Sequence, residues 1–254
     1  MKTVVIIPAR LGSSRLEEKV ILDICGKPMV QHVFEVAQKA PFITDVYIAT
    51  DSQKVKEICL SFTNNIIMTS ETHQSGTDRL AEAIKSIECD NIINVQGDEP
   101  LMDSRLIGQL AEVLTQQTID MVSAMHRIKT TEELKSVNAV KVTVDKHFNA
   151  LYFSRSIIPH HRDNWDTLLN HHQNIPMPLK FFKHIGIYGY TKEFLLKYSN
   201  MEQTYLEKLE KLEQLRVLEN GYKIKMIETD YEPVGVDVKA DLERVREIVK
   251  KHKH

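Results

Sequence analysis

Thr3-Val4-Val5-Ile6-Ile7-Pro8-Ala9-Arg10-Leu11-Gly12-Ser13-Ser14-Arg15 is the stretch on which the fold class turns. Its first five residues are all β-branched and read as a short strand buried on both faces. The loop behind it carries a glycine, two hydroxyls and two guanidinium groups. A loop that grips phosphate needs these features, because close-lying backbone N–H groups and bidentate cations both favour an anion. A plain polar surface loop is the bland alternative. The segment is no P-loop, since Gly26-Lys27 is followed by Pro28, and G-x-G-x-x-G is absent.

Further along, the same alternation recurs. Short apolar runs predict strands over 3–7, 45–49, 66–69, 91–95, 121–125, 140–144, 184–190 and 223–227. Amphipathic stretches predict helices over 29–39, 52–62, 78–86, 104–115, 192–198, 203–219 and 239–250. Strands alternating with crossover helices define an α/β fold with a mostly parallel sheet, whose ligands bind at the carboxyl ends of the strands. No domain boundary stands out, so residues 1–254 are read as one domain. The polar, histidine-rich stretch 159–183 reads as a long loop or flap. In the helix expected over 203–219, Leu206, Leu209, Leu212, Leu215 and Leu218 recur every three residues. That spacing drifts about 60° per step and spreads leucine over a broad face. Either the rest of its own domain or a second subunit must cover it.

Composition narrows the partners. The 254 residues hold 33 basic and 35 acidic side chains, a formal net charge of -2, so no global field recommends nucleic acid or an anionic membrane. The apolar run Val4–Ile7 is too short for a signal-peptide core or a membrane span, which makes a cytoplasmic location the expectation. Cys25, Cys59 and Cys89 lack C-x-x-C spacing and are read as reduced thiols.

Three further constellations carry chemistry. Asn94-Val95-Gln96-Gly97-Asp98-Glu99-Pro100 leaves a predicted strand on a glycine turn, where a carboxylate can ligate Mg²⁺, an ion satisfied by one or two protein carboxylates plus phosphate and water. Val234-Gly235-Val236-Asp237 offers a second carboxylate, which could equally cap the last helix. His73-Gln74-Ser75-Gly76-Thr77-Asp78-Arg79 precedes a helix whose free N–H groups suit a phosphate or a base edge, or are merely capped by Ser75 or Thr77. His160, His161, His171 and His172 are read as solvated loop polarity rather than a metal site, for lack of paired ligand spacing.

Together these segments strongly resemble the 3-deoxy-manno-octulosonate (Kdo) cytidylyltransferases. The match runs nearly end to end through VVIIPARLGSSRL, GKPMVQHV, YIATD, MTSETHQSGTDRLAE, NVQGDEP, VKVTVD, ALYFSRSIIP, KHIGIYGY, LEKLEKLEQLRVLENGYKI and GVDVKADLE. The resemblance implies a nucleotide-diphospho-sugar-transferase type fold, Rossmann-like, with a mostly parallel mixed sheet flanked by helices. It also implies a homodimerising arm, with dimerisation and sugar-acid elements around 150–215. The implied reaction joins CTP and Kdo into CMP-Kdo and pyrophosphate with Mg²⁺, for lipopolysaccharide assembly. By position, Arg10, Ser13, Arg15 and Lys19 would hold the triphosphate, and Asp98 and Asp237 the Mg²⁺. Ser75, Gly76, Thr77 and Arg79 would border the cytidine. Gln96, Arg155, His184, Tyr188, Glu213 and Gln214 would meet the sugar acid. His184 and Tyr188 could also be strand packing, and Glu213 with Gln214 exposed helix.

This chain departs from the family at one point of consequence. Where relatives read Arg-Leu-Pro-Gly-Lys-Pro, it has Arg15-Leu16-Glu17-Glu18-Lys19-Val20. A carboxylate about 4 Å from a phosphate charge at an effective dielectric near 20 would oppose binding by about 4 kcal/mol. Glu17 and Glu18 are therefore expected to point outward or to recruit an extra cation. Rival readings are a cytidylyltransferase for a related acceptor such as 8-amino-Kdo, and a weakly active CTP-binding protein.

Overall fold

A computed structural model describes residues 1–12, 16–73, 76–116 and 119–252. In chain order the elements begin with β1 (Thr3–Pro8), β2 (Asp23–Ile24), β3 (Lys27–Pro28), α1 (Met29–Gln38), β4 (Asp45–Thr50), α2 (Gln53–Cys59), β5 (Ile66–Met68), α3 (Gly76–Ala83), β6 (Asn91–Asn94) and α4 (Ser104–Gln116). There follow β7 (Met121–Arg127), α5 (Thr131–Lys135), β8 (Lys141–Val144), β9 (Ala150–Ser154), α6 (Trp165–His171) and β10 (Phe182–Thr191). The last are α7 (Lys192–Ser199), α8 (Tyr205–Glu210), α9 (Leu215–Glu219), β11 (Lys225–Thr229) and α10 (Lys239–His252). Two compact units result: Met1–Thr118 with Ile187–Ser199 and Glu232–His254, and Ile119–Gly186 with Asn200–Tyr231.

The first unit is built on parallel strands. β1 lies between β4 and β6, β5 follows β4, and the final residues of β10 run antiparallel to β6, with Tyr188 opposite Asn94. Val4 to Ile7 are fully buried, as a strand covered on both faces requires. Met29, Val30, Val33, Phe34 and Ala37 form the buried stripe of α1, at the 3–4 residue spacing of an amphipathic helix. Gly108 of α4 lets that helix lie against Pro41, where an added Cβ would come within 2.3 Å of a ring carbon. A small hairpin unforeseen from the sequence, β2–β3, turns at Cys25 and Gly26, both at positive φ. It packs with Met29 against Val236, Leu242 and Val245, anchoring the start of α10.

The second unit holds β7 parallel to β11, and β8 paired antiparallel with both β9 and the start of β10. Two sequence expectations are corrected within it, and one strand is added. The stretch 159–183 is no featureless loop, for it contains α6, whose Leu168 and Leu169 join Ile128, Leu134, Ile157, Ile175, Leu179 and Phe181 in a separate apolar cluster. Burial of those side chains outweighs the polar, proline-containing composition that suggested a flap. The helix expected over 203–219 is two helices, α8 and α9, separated at Lys211, which adopts φ 55. Leucine at every third position cannot keep one helical face, and the break lets Leu212 and Leu215 be buried while Leu209 stays exposed. A bidentate pair from Arg216 Nε and Nη2 to the Glu207 carboxylate, at 2.8 and 2.6 Å and nearly buried, ties the two pieces together. Finally, residues 150–154, to which no element was assigned, form β9, with Phe153 and Ala150 turned inward.

Candidate active site

The loop leaving β6 and the segment before α10 are joined by one backbone bond, from Val236 N to Asp98 O at 2.9 Å. Two glycines permit the approach. A Cβ on Gly97 would fall 2.8 Å from the Pro8 carbonyl oxygen, and one on Gly235 would lie 3.0 Å from Glu99 Oε1. Asp98 and Asp237, far apart in the chain, thereby face one atom. Lys19 Nζ donates to Asp98 Oδ2 at 2.6 Å and to Asp237 Oδ1 at 3.1 Å. Lys19 reaches them from the 3-10 turn Lys19–Ile21, which is seated by Val20 and is itself nearly buried. The choice left open for Asp237 is resolved in part: the N–H groups of Asp237 and Val238 are taken by the Asp241 carboxylate, both at 3.0 Å, while Asp237 Oδ1 goes to Lys19.

This donor set fits a hard divalent cation. Two half-exposed carboxylates converge on a cationic atom at the carboxyl edge of a parallel sheet, and Mg²⁺ asks for one or two such groups. Among the described residues no group of three or more His, Cys, Asp or Glu side chains is disposed to hold a metal. With one or two protein carboxylates, Mg²⁺ takes phosphate and water as its other ligands.

Arg10 stands exposed just beyond β1. Ser13, Arg15 and Ser75 lie outside the described residues. Gly76 opens α3, with Thr77 nearly buried behind it. Arg79 is 3% exposed and turned inward, its Nη2 on Asp51 Oδ2 at 2.5 Å and its Nη1 on Thr69 Oγ1. So disposed, Arg79 braces the carboxyl ends of β4 and β5 beside the loop. Asp51, which the sequence reading did not weigh, is its counter-ion, and its place directly after the predicted strand was the available signal. On the other side, His73 Nε2 lies 2.5 Å from Glu82 Oε2, which also accepts from Ser70 N at 2.8 Å. These bonds pin the loop to α3 and hold the Glu82 carboxyl below its usual range, chiefly through the Ser70 N–H and then His73. A cavity of about 420 Å³ opens beside His73, Asp78 and Glu82, and neither Lys19 nor the two aspartates line it.

The residues matched to the sugar acid are placed as follows. In the first unit Gln96 is half-buried, and half-buried Tyr188 stacks on Tyr190 with ring centroids 6.1 Å apart. In the second unit His184 is 8% exposed, its Nε2 2.9 Å from Ser123 Oγ and its ring edge-on to Phe153. Burial drives the His184 imidazole down to about 3, so it is neutral at physiological pH. Arg155 donates to the carbonyls of Glu210 and Val137 at 2.8 and 3.2 Å, and the Glu210 carboxylate accepts from Ser154 Oγ and Arg155 N. Glu213 and buried Gln214 lie in the connection leading into α9.

The two substituted carboxylates take different surroundings. Glu17 is exposed, and Glu18 gives both carboxylate oxygens to Lys54 Nζ at 2.6 Å. Glu18 has φ 52, a left-handed conformation, at the position where the family pattern places glycine.

Solved structures share this fold. A 4-diphosphocytidyl-2C-methyl-D-erythritol synthase from Anaerococcus prevotii shares the fold at TM-score 0.61 and 12% identity, with 98% of each chain covered. The sequence model of the cytidylyltransferase family matches residues 4–224. The 3-deoxy-manno-octulosonate cytidylyltransferase of Geotalea uraniireducens is 47% identical over 99% of this chain and 100% of its own, and that of Fusobacterium nucleatum is 42% identical over 99% and 98%. A CMP:2-keto-3-deoxy-manno-octonic acid synthetase solved in complex with CTP superposes at TM-score 0.90 with 38% identity, covering 99% of this chain and all of that one. The chain belongs to the cytidylyltransferase family, in its 3-deoxy-manno-octulosonate branch.

Proposed function

We propose that this enzyme transfers CMP from CTP to the anomeric hydroxyl of Kdo, releasing pyrophosphate, with Mg²⁺ as cofactor, and so supplies the activated sugar for lipopolysaccharide assembly. The observation that carries the reading is the convergence of Asp98 and Asp237 on Lys19. The bond formed joins the anomeric oxygen to the α-phosphorus, and the bond broken joins that phosphorus to the pyrophosphate oxygen. Negative charge gathers on the α-phosphoryl oxygens and the leaving group, so positioning and electrostatic stabilisation supply most of the rate.

Arg10, Ser13, Arg15 and Lys19 are assigned to the triphosphate. Once an anion is present, the Lys19 ammonium can turn from the aspartates to it, a charge-assisted bond of similar strength. Asp98 and Asp237 would hold the Mg²⁺, which when bound offsets phosphate charge and lowers the pKa of the attacking hydroxyl. Ser75, Gly76 and Thr77 are assigned to the cytidine, with Arg79 and Asp51 keeping that loop in place. Gln96, Arg155, His184, Tyr188, Glu213 and Gln214 are assigned to the sugar acid. Neutral His184 can orient a hydroxyl there without adding charge.

A homodimer is supported by apolar side chains left exposed on two elements of the second unit, Leu151 of β9 and Tyr205 and Leu209 of α8. No helix among the described residues is long and apolar enough to cross a membrane. The cytoplasm, where CTP is available, is the proposed site of action. Pyrophosphate release is expected only with CTP, Kdo and Mg²⁺ together, and Asp98→Asn or Asp237→Asn should abolish it. CTP binding without release would overturn the reading in favour of a binding protein.

A further inference from the structure

We propose that Lys54 is a positioning residue for Lys19, acting through Glu18. The inference rests on the reading that Lys19 handles the triphosphate, and its own support is geometric. Glu18 immediately precedes the 3-10 turn that carries Lys19, and its carbonyl accepts from Ile21 N at 3.0 Å. Its backbone holds φ 52 and ψ 27, a region that a residue with a Cβ rarely enters without support from its surroundings. The support visible here is the Lys54 ammonium, which takes both oxygens of the Glu18 carboxylate at 2.6 Å.

Lys54 belongs to a different element. It lies in the first turn of α2, where the helix dipole disfavours a cation, and that turn contains no acidic residue. The Glu18 carboxylate supplies the missing negative charge from another part of the chain. It thereby satisfies Lys54 and fixes the residue whose conformation aims Lys19. Below the turn, buried Val20 anchors the other end. Lys19 is thus set between an apolar anchor on one side and an ion pair on the other, and the ion pair is the adjustable half.

The test is a double-mutant cycle on the full-length enzyme. Lys54→Met is expected to raise the KM for CTP about two- to five-fold, the range of an exposed ion pair, with kcat changed less. Lys54→Arg should restore the KM, and high salt should raise the wild-type KM toward the variant's. In a Glu18→Gly background the left-handed backbone needs no support, so Lys54→Met should add nothing. Hydrogen exchange of the Ile21 and Leu22 amides should quicken in Lys54→Met and not in the double variant. An equal effect of Lys54→Met in both backgrounds would overturn the proposal, because Lys54 would then act on the nucleotide directly, and so would unchanged KM and exchange. Lys19→Met separates the two levels. If it turns over normally, the reading of Lys19 fails, while the exchange data still decide whether Lys54 orders the turn.

Discussion

Two lysines, one in each unit, are nearly sealed from solvent and differ in what they hold. Lys141 is fully buried and donates its ammonium protons to the carbonyls of Ser136, Ala139 and Arg155 at 2.8, 2.7 and 2.7 Å. Lys19 is 8% exposed and donates to Asp98 and Asp237, whose side chains remain 33% and 49% exposed. An ammonium has three protons to give, so Lys141 is saturated by backbone that the fold itself fixes. Carboxylates open to water can exchange an ammonium for another cation, and the ammonium can then turn to an anion. Buried cations held by carbonyls are therefore structural, whereas a cation held by accessible carboxylates remains available for chemistry. Burial pushes the Lys141 pKa down, with the Glu210 carboxylate opposing it.

The sharpest way to break this contrast is to remove each ammonium in turn. Lys19→Met should lower kcat/KM by about 100- to 1,000-fold, as loss of a charge-stabilising donor does, and leave the melting temperature nearly unchanged. Pyrophosphate release and a thermal melt read the two effects, and activity within ten-fold of wild type would remove Lys19 from the machinery. Lys141→Met should do the reverse. It strands the carbonyls of Ala139 and Arg155, while that of Ser136 keeps the Ala139 N–H, at a cost of about 3 kcal/mol, which lowers the melting temperature by about 6–12 °C in a chain of this size. A Lys141→Met protein as stable as wild type would mean that the carbonyl cage is not what holds residues 136–155 together.

A smaller effect comes from His184, a buried imidazole of the second unit. Its folded pKa is depressed to about 3, while the unfolded chain takes up a proton below about 6.5. Between those values the unfolded state binds the extra proton, so stability falls as pH falls, by up to ~1.4 kcal/mol per unit. Unfolding free energies from denaturant titrations at pH 7 and pH 5 should differ by about 2 kcal/mol in the wild type and by much less in His184→Gln. Equal slopes would show that the imidazole protonates without penalty. A raised KM for Kdo in the same variant would mark a role in the acceptor site as well.

Much of this molecule could be read from the chain. β1 appears as a run of β-branched residues buried on both faces, and β4 and β6 as short runs around Val46, Ile48, Ile92 and Ile93. α1, α4 and α10 appear because their apolar stripes keep helical period. What was illegible follows one rule: it depends on partners distant in sequence. α6 reads as a flap because part of its cover, Ile128 and Leu134, comes from elsewhere in the chain. The leucine spacing hints that one long helix cannot hold, but the position of the break and the Glu207–Arg216 pair across it are set by contacts made only in the folded chain.

The candidate site divides along the same line. Short-range sequence determined which residue types stand at the strand exits, because a glycine turn, a hydroxyl or a carboxylate declares its chemistry within a few positions. Only the tertiary structure decided that Asp98 and Asp237 face a single ammonium, that Arg79 is committed to Asp51 and that Glu18 is held by Lys54. Hydrogen bonds and ion pairs act over about 3 Å of space whatever the distance along the chain. Folding alone brings those atoms within that range.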